Sequence, residues 1–307
     1  MKKMSKTILF FGNERLATGV TTTTPALRAL IDAGYDVGGV VIAQAELARS
    51  RRARPLEVAA TAEAHGIPVL APDNLIEAKG QLAAYQADAA VLIAYGKIVP
   101  PEVLELFPAG IVNIHPSLLP LHRGSTPIES AILDGASETG VSLMKLSKKM
   151  DAGPLYDQVT VTLDGRETKQ DLADRLADVG TALLLKHLPA ILDGSARPAA
   201  QNDAEATTDQ HISKADGLIN WTKPAARLEH EVRAYAGWPR SRTGLGKTDV
   251  IITGAHAADG TGSPGTRHIE GMTLNIYCGE GMLVIDRLIP AGKREMTAAA
   301  FLAGYDL

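Results

Sequence analysis

The chain has 307 residues, 45% hydrophobic and 21% charged, with a net charge of −4 and a pI near 6.1. That is the balance of a soluble globular protein long enough for two domains, and it argues against a generic basic nucleic-acid coat, although a local basic patch can still grip phosphates. Cys278 is the only cysteine, which excludes an internal disulfide and a cysteine-built zinc site.

The basic start MKKMSK is followed by an apolar run, Thr7–Phe11, that is too short for a signal-peptide core. No stretch approaches the roughly 20 apolar residues that span a bilayer. The chain is therefore read as a cytosolic protein without membrane contact. Nothing in the sequence fixes its oligomeric state, and a monomer is the expectation. Aromatic residues are only 4%, so Ala, Val, Leu and Ile must build the cores.

TILFF (7–11) is a strand closed by Gly12-Asn13. After it, GNERLATGVTTTTPAL carries neither G-x-G-x-x-G nor a P-loop, which disfavours a nicotinamide or nucleotide phosphate site there. TPALRALIDAGY (24–35) has Leu27, Leu30 and Ile31 at helical spacing and Gly34 as a stop. DVGGVVIA (36–43) is the next strand, followed by a helix over 55–66, a short strand over 67–71 and the apolar run DAAVLIAYG (88–96). PEVLELF is a helical turn or two before the strand GIVNIH (110–115). STPIESAILDG (125–135) reads as a helix with Pro127 in its first turn and Gly135 beyond its end, and GVSLMKL (140–146) as a strand. Apolar strands alternating with helices predict an α/β fold, a doubly wound and mostly parallel sheet. In DGSARPAAQNDAEATTDQH (193–211) the periodicity ends, as in a linker. GLINW, DVIITGAHA, TLNIYCG and MLVIDRLIP follow as short strands between glycine-rich turns, the pattern of a small β-barrel. The expected division is an α/β domain over 1–192, a linker over 193–212 and a β-barrel over 213–307.

In IVNIH, alternation sends Asn113 and His115 to the same face, about 6.5–7 Å apart along the strand. Pro116 ends the strand there, at the carboxyl edge where open α/β sheets bind ligands. An amide can hold a developing oxyanion and an imidazole can shuttle protons, a pair suited to attack of an amine on a carbonyl. Taken alone N-x-H is weak, because a histidine beside a proline turn is more often a hydrogen-bonded structural residue. Asp151, in the loop after the strand 140–146, could orient an imidazole or simply form a turn beside Gly153.

The segment VNIHPSLLPLHRGSTPIESAILDGASETGVSLMKLSKKMDAGPLY resembles the signature region of the formyltetrahydrofolate-dependent formyltransferases. The likeness continues through AAVLIAYGKIVPPEVLE, LINW, VRAYAGWPRSR and IPAGKREMTAAAFL, and these late segments are similar to the members that act on initiator methionyl-tRNA. The resemblance implies a Rossmann-like formyltransferase domain followed by an OB-like barrel. It implies transfer of a formyl group from 10-formyltetrahydrofolate, without a metal, to the α-amino group of methionyl initiator tRNA. Asn113 is then the oxyanion donor of a tetrahedral intermediate, with His115 and Asp151 in proton transfer. Ser117, Leu118, Leu119 and Pro120 would line the folate pocket, and Ile93, Ala94, Tyr95 and Gly96 would accept the pterin through their backbone. Arg49, Arg51, Arg52 and Arg54 match a basic loop that enters the acceptor stem, and the second domain would also contact tRNA. That domain is not basic overall, with 11 Lys+Arg and 11 Asp+Glu from Thr208 to Leu307. His122 stands where the family commonly has an aromatic. The alternatives are a formyltransferase acting on a nucleotide-sugar amine or glycinamide ribonucleotide, and a non-catalytic tRNA-binding relative.

Overall fold

In the computed structural model, which describes residues 6–43 and 56–305, the apolar runs AAVLI and IVNIH form the strands β4 (Ala89–Ile93) and β5 (Ile111–His115). Every residue of both strands is buried, as befits strands covered on two faces. With β1 (Thr7–Gly12), β2 (Asp36–Val41), β3 (Val69–Leu70), β6 (Glu138–Lys145) and β7 (Leu155–Thr162) they make a sheet of order β3-β2-β1-β4-β5-β6-β7. The pairings from β3 to β5 are parallel, and β6 and β7 add antiparallel edges. From β1 the chain first builds outward to β2 and β3, then returns to place β4 and β5 on the other side. That reversal lies at the carboxyl ends of β1 and β4, the usual ligand position of such sheets.

Phe11 meets Tyr95 and Phe107 edge to face at 5.5 and 6.0 Å, packing the sheet's core near the end of β1. Gly12 lies at φ +116, and a Cβ there would collide with the Ile93 carbonyl.

Helix α1 (Pro25–Asp32) begins unusually. Its N-cap, Thr24, is left-handed and supplies no side-chain cap. The carboxylate of Glu14 does so instead, accepting from the backbone N–H groups of Ala26 and Leu27 at 2.9 Å each. Glu14 is only 2% exposed, and burial pushes its carboxyl up to about 7 against the pull of those two donors and Arg28. A carboxyl raised from 4.5 in the unfolded chain contributes stability that is fully present below pH 4.5 and lost as pH rises through about 7. Urea unfolding from pH 5 to 8 should therefore show wild-type stability falling by about 2–3 kcal/mol over that window, and Glu14→Gln should flatten the slope. An equally steep slope in Glu14→Gln assigns it to other groups.

The remaining helices before residue 200 are α2 (Glu57–Ala64), α3 (Lys79–Ala83), α4 (Pro101–Leu104), α5 (Pro127–Leu133) and α6 (Lys169–Leu192). The sequence pattern does not announce strand β7 or helix α6. Gly180 and Pro189 interrupt the helical pattern of α6, yet Gly180 is there for packing: a Cβ would press on Ile114 of β5 at 2.6 Å.

By internal contacts the chain forms two units. One comprises Met1–Pro127, Glu138–Thr162 and Leu172–Asp209, and the other Ile128–Ser137, Leu163–Asp171 and Gln210–Leu307. The second contains α7 (Ala225–Ala234), strands β8 (Ser241–Leu245), β9 (Thr248–Ala258), β10 (Arg267–Glu270), β11 (Thr273–Tyr277), β12 (Met282–Pro290) and β13 (Met296–Thr297), and α8 (Ala298–Gly304). Its sheet is antiparallel, in the order β10-β11-β12-β9-β8, with β13 on β12 and bulges in β12 near Arg287. Leu228, Val250, Leu274, Leu283, Ile285 and Phe301 fill its core. The fold class is thus the expected one, a mostly parallel α/β sheet followed by a smaller antiparallel β unit.

GLINW is not a strand. Only Leu218 forms a bridge, to Arg242, and the Asn220 side chain accepts from the N–H and hydroxyl of Thr222, turning the chain before a ladder can extend. The polar stretch expected as a linker is held by backbone bonds within the first unit, Ala199 pairing with Leu155 and Thr207 and Asp209 with Arg123.

Candidate active site at the carboxyl edge of the sheet

Asn113 and His115 project from the same side of β5 and are 6% and 5% exposed. In the neighbouring antiparallel strand they face Met144 and Ser142. Nε2 of His115 lies 3.0 Å from the carbonyl oxygen of His122. A carbonyl only accepts, so Nε2 carries the hydrogen and Nδ1 of the neutral ring is left with its lone pair. Nδ1 faces Oδ1 of Asp151 at 3.8 Å, beyond direct hydrogen bonding but close enough for a strong mutual field. The structure therefore brings Asp151 to the imidazole from 36 positions along the chain.

Asp151 is held from several sides. Its Oδ2 accepts from the Gly124 N–H at 2.9 Å. Its own carbonyl accepts from Gln201, which also bonds the Gly153 carbonyl and is itself gripped by Arg123. Gly153 lies so close to the Lys145 carbonyl that no side chain fits. Asp151 has φ 48, a left-handed conformation that this clamp maintains. The arrangement is an amide, an imidazole and a carboxylate in a nearly dry corner, a set able to stabilise an oxyanion and move a proton.

The residues expected along the folate pocket divide into two kinds. Ile93, Tyr95, Ser117 and Leu119 are at most 3% exposed, so they lie inside the fold and brace the site rather than face a ligand. Ser117 donates to the Leu121 carbonyl, while Ser142 donates to the Ser117 carbonyl and accepts from the Leu119 N–H. Gln158 completes this frame by donating to the Leu119 carbonyl and to Ser142. Leu118 and Pro120 remain half-buried, and Ala94 and Gly96, at φ 51 and 73, turn the backbone at the end of β4. Peptide groups at a strand end beside a part-exposed leucine and proline suit a flat heteroaromatic ring with an edge of polar atoms. Arg49, Arg51, Arg52 and Arg54 lie outside the described residues.

Sequence reasoning did not single out Ser142, Gln158, Gln201 or Asp209. Only Ser142 carried a signal, as the inward polar position of GVSLMKL. A separate cavity of about 270 Å³, lined by Thr22, Thr23, Thr24, Arg28 and Thr61 among others, contains none of the Asn113–His115–Asp151 set. Its lining does include Glu57 and His65, but the Glu57 carboxylate is engaged by Arg15 and no Asn or Gln amide lines the cavity, so we place the candidate site at β5 on chemistry rather than on volume. Among the described residues no group of three His, Cys, Asp or Glu is gathered to hold a metal ion, and no helix is long and apolar enough to cross a membrane.

Comparison with known proteins adds an independent line. Residues 18–188 match the family model described as formyl transferase, and residues 211–306 match that of the formyl transferase C-terminal domain. The chain is 40% identical over 305 residues to the methionyl-tRNA formyltransferase of Chloroflexus aurantiacus, covering 97% of this chain and 96% of that one. It is 35% identical over 304 residues to the protein of the same name from Trichlorobacter lovleyi, covering 98% and 94%. Among solved structures, the N-formyltransferase of Helicobacter canadensis in complex with folinic acid and dTDP-3-aminofucose superposes with a TM-score of 0.67 at 18% identity, over 95% of this chain and 100% of that one. At that identity the likeness concerns the fold.

Proposed function

The chain belongs to the formyl transferase family, and on that premise we propose that it transfers a formyl group from 10-formyltetrahydrofolate to the α-amino group of methionyl initiator tRNA. The observation that carries this reading is the His115–Asp151 approach of 3.8 Å beside Asn113, within a chain whose named relatives match it nearly end to end. The folate co-substrate supplies the activated formyl carbon, and this chain's residues do the rest. Asn113 donates to the oxygen that gains charge as the amine adds. His115 takes a proton from the amine at Nδ1 and returns it to the departing nitrogen, and Asp151 stabilises the imidazolium that exists between these transfers. The backbone of 93–96 accepts the pterin, and the segment 117–120 lines the folate pocket, chiefly through Leu118 and Pro120. The basic stretch with Arg49, Arg51, Arg52 and Arg54, together with residues 213–307, grips the tRNA. In this reading residues 1–192 carry catalysis, and the enzyme works in the cytoplasm as a monomer.

Incubation of the protein with charged initiator tRNA and 10-formyltetrahydrofolate should yield N-formylmethionine after hydrolysis of the ester. The KM for tRNA should climb steeply between 50 and 200 mM salt, because each neutralised phosphate adds roughly one power of salt dependence. Formylation of a nucleotide-sugar amine with no product on tRNA would replace this reading with the sugar-directed one.

A further inference from the structure

His115 is oriented by a main-chain atom, and that atom is itself held in place. The strip His122–Arg123–Gly124 serves both members of the acid–base pair: the His122 carbonyl accepts from His115 Nε2, and the Gly124 N–H donates to Asp151 Oδ2. A shift of this strip therefore alters the gap between imidazole and carboxylate. His122 has φ 57, a left-handed conformation that a non-glycine residue keeps only when its surroundings impose it.

Residues 207–209 impose it. The His122 N–H donates to Thr207 Oγ1 at 2.8 Å, the Arg123 N–H to the Thr207 carbonyl at 2.9 Å, and the Asp209 N–H to the Arg123 carbonyl at 2.9 Å. The only side-chain pair in this set joins His122 Nδ1 to Asp209 Oδ1 at 3.0 Å. The Asp209 side chain is 2% exposed, and its Oδ2 is buried without a hydrogen-bond partner. A carboxylate buried with one oxygen unmatched is a costly way to stabilise a fold, which points to a positional role for the pair.

We propose that Asp209 and His122 are positioning residues for the transfer reaction: their pair fixes the His122 carbonyl, and through it the tautomer and tilt of His115. This rests on the assignment of His115 to proton transfer made above. A ring that only covers the rim needs no hydrogen-bonding nitrogen, whereas a ring that anchors the strip needs one matched to Asp209.

The test uses the full chain with charged initiator tRNA and 10-formyltetrahydrofolate. His122→Ala and Asp209→Ala should each lower kcat about 10- to 100-fold, the range of an orienting second partner, with KM for both substrates within about twofold. The double variant should be no worse than either single one, because the two act as a unit. His122→Asn should recover most of the loss, since its amide nitrogen can replace Nδ1 and asparagine tolerates positive φ. The decisive readout is ¹⁵N NMR of the His115 ring, at a pH where it is neutral. Wild type and His122→Asn should show the Nε2–H form, and the alanine variants a mixture of tautomers. An unchanged His115 tautomer in folded Asp209→Ala or His122→Ala overturns the positioning role, whatever the rate does. A shifted tautomer with undiminished kcat instead removes His115 from proton transfer, which is a failure of the functional reading itself.

Discussion

Replacing His115 by alanine is expected to lower kcat for formyl transfer by about 10²–10⁴, the contribution of a positioned acid–base group, while the fold survives. The His122 carbonyl holds the hydrogen on Nε2, so the free base is Nδ1, the nitrogen turned toward Asp151. A proton taken there meets a carboxylate 3.8 Å away, which stabilises the charged ring formed by the transfer. Asp151→Asn should accordingly lose most of the same rate. It keeps the acceptor for the Gly124 N–H, so the loss reflects charge rather than a collapsed loop. Asn113 and substrate alignment should leave both variants measurable residual turnover. Single-turnover rates with charged initiator tRNA provide the measurement, and a rate within threefold of wild type for either variant would strike that residue from the mechanism.

The second large effect concerns stability. Lys169 and Glu129 are each 1% exposed, with Lys169 Nζ 3.5 Å from Glu129 Oε1 and donating to the Trp238 carbonyl at 2.7 Å. Burial pulls the Lys169 ammonium below its ordinary pKa, and the Glu129 carboxylate opposes that pull. Removing one charge from such a pair strands the other in a dry interior. Lys169→Met is expected to destabilise the protein by about 3–5 kcal/mol in denaturant unfolding. Lys169→Met with Glu129→Leu removes both charges and should recover most of that loss, because paired apolar replacements of buried ions are often neutral. A single variant within 1 kcal/mol of wild type would mean that the stranded carboxylate finds water or another donor. No sequence signal marks this pair, since Lys169 opens a helix among Thr168, Gln170 and Asp171, where a lysine reads as solvated surface.

How far the fold was legible depended on whether burial was uniform or conditional. Apolar runs such as TILFF and MLVIDRLIP declared their strands because every plausible packing buries them, and β12 matches its run at both ends. Helix α6 was hidden by Gly180, whose packing reason lies on Ile114, 66 positions away in the chain. GLINW looked extended by composition, but a local side-chain turn at Asn220 decided otherwise. Residues 193–209 have the composition of a linker, and the partners that hold their backbone, among them Leu155, Pro120 and Arg123, lie far away in the chain.

By itself the sequence determined the alternation that aims Asn113 and His115 to one face, the proline that ends their strand, and the family signature around them. These are local properties, set by the two-residue strand period and by the missing N–H of proline. Tertiary structure alone decided which carboxylate meets the imidazole, which ring nitrogen keeps its hydrogen, and that Ser117 and Leu119 turn inward to brace the loop. Each of those depends on a distance between segments far apart in the chain. Such distances arise only when the sheet, the strip 122–124 and the stretch 207–209 bury their backbone groups against one another.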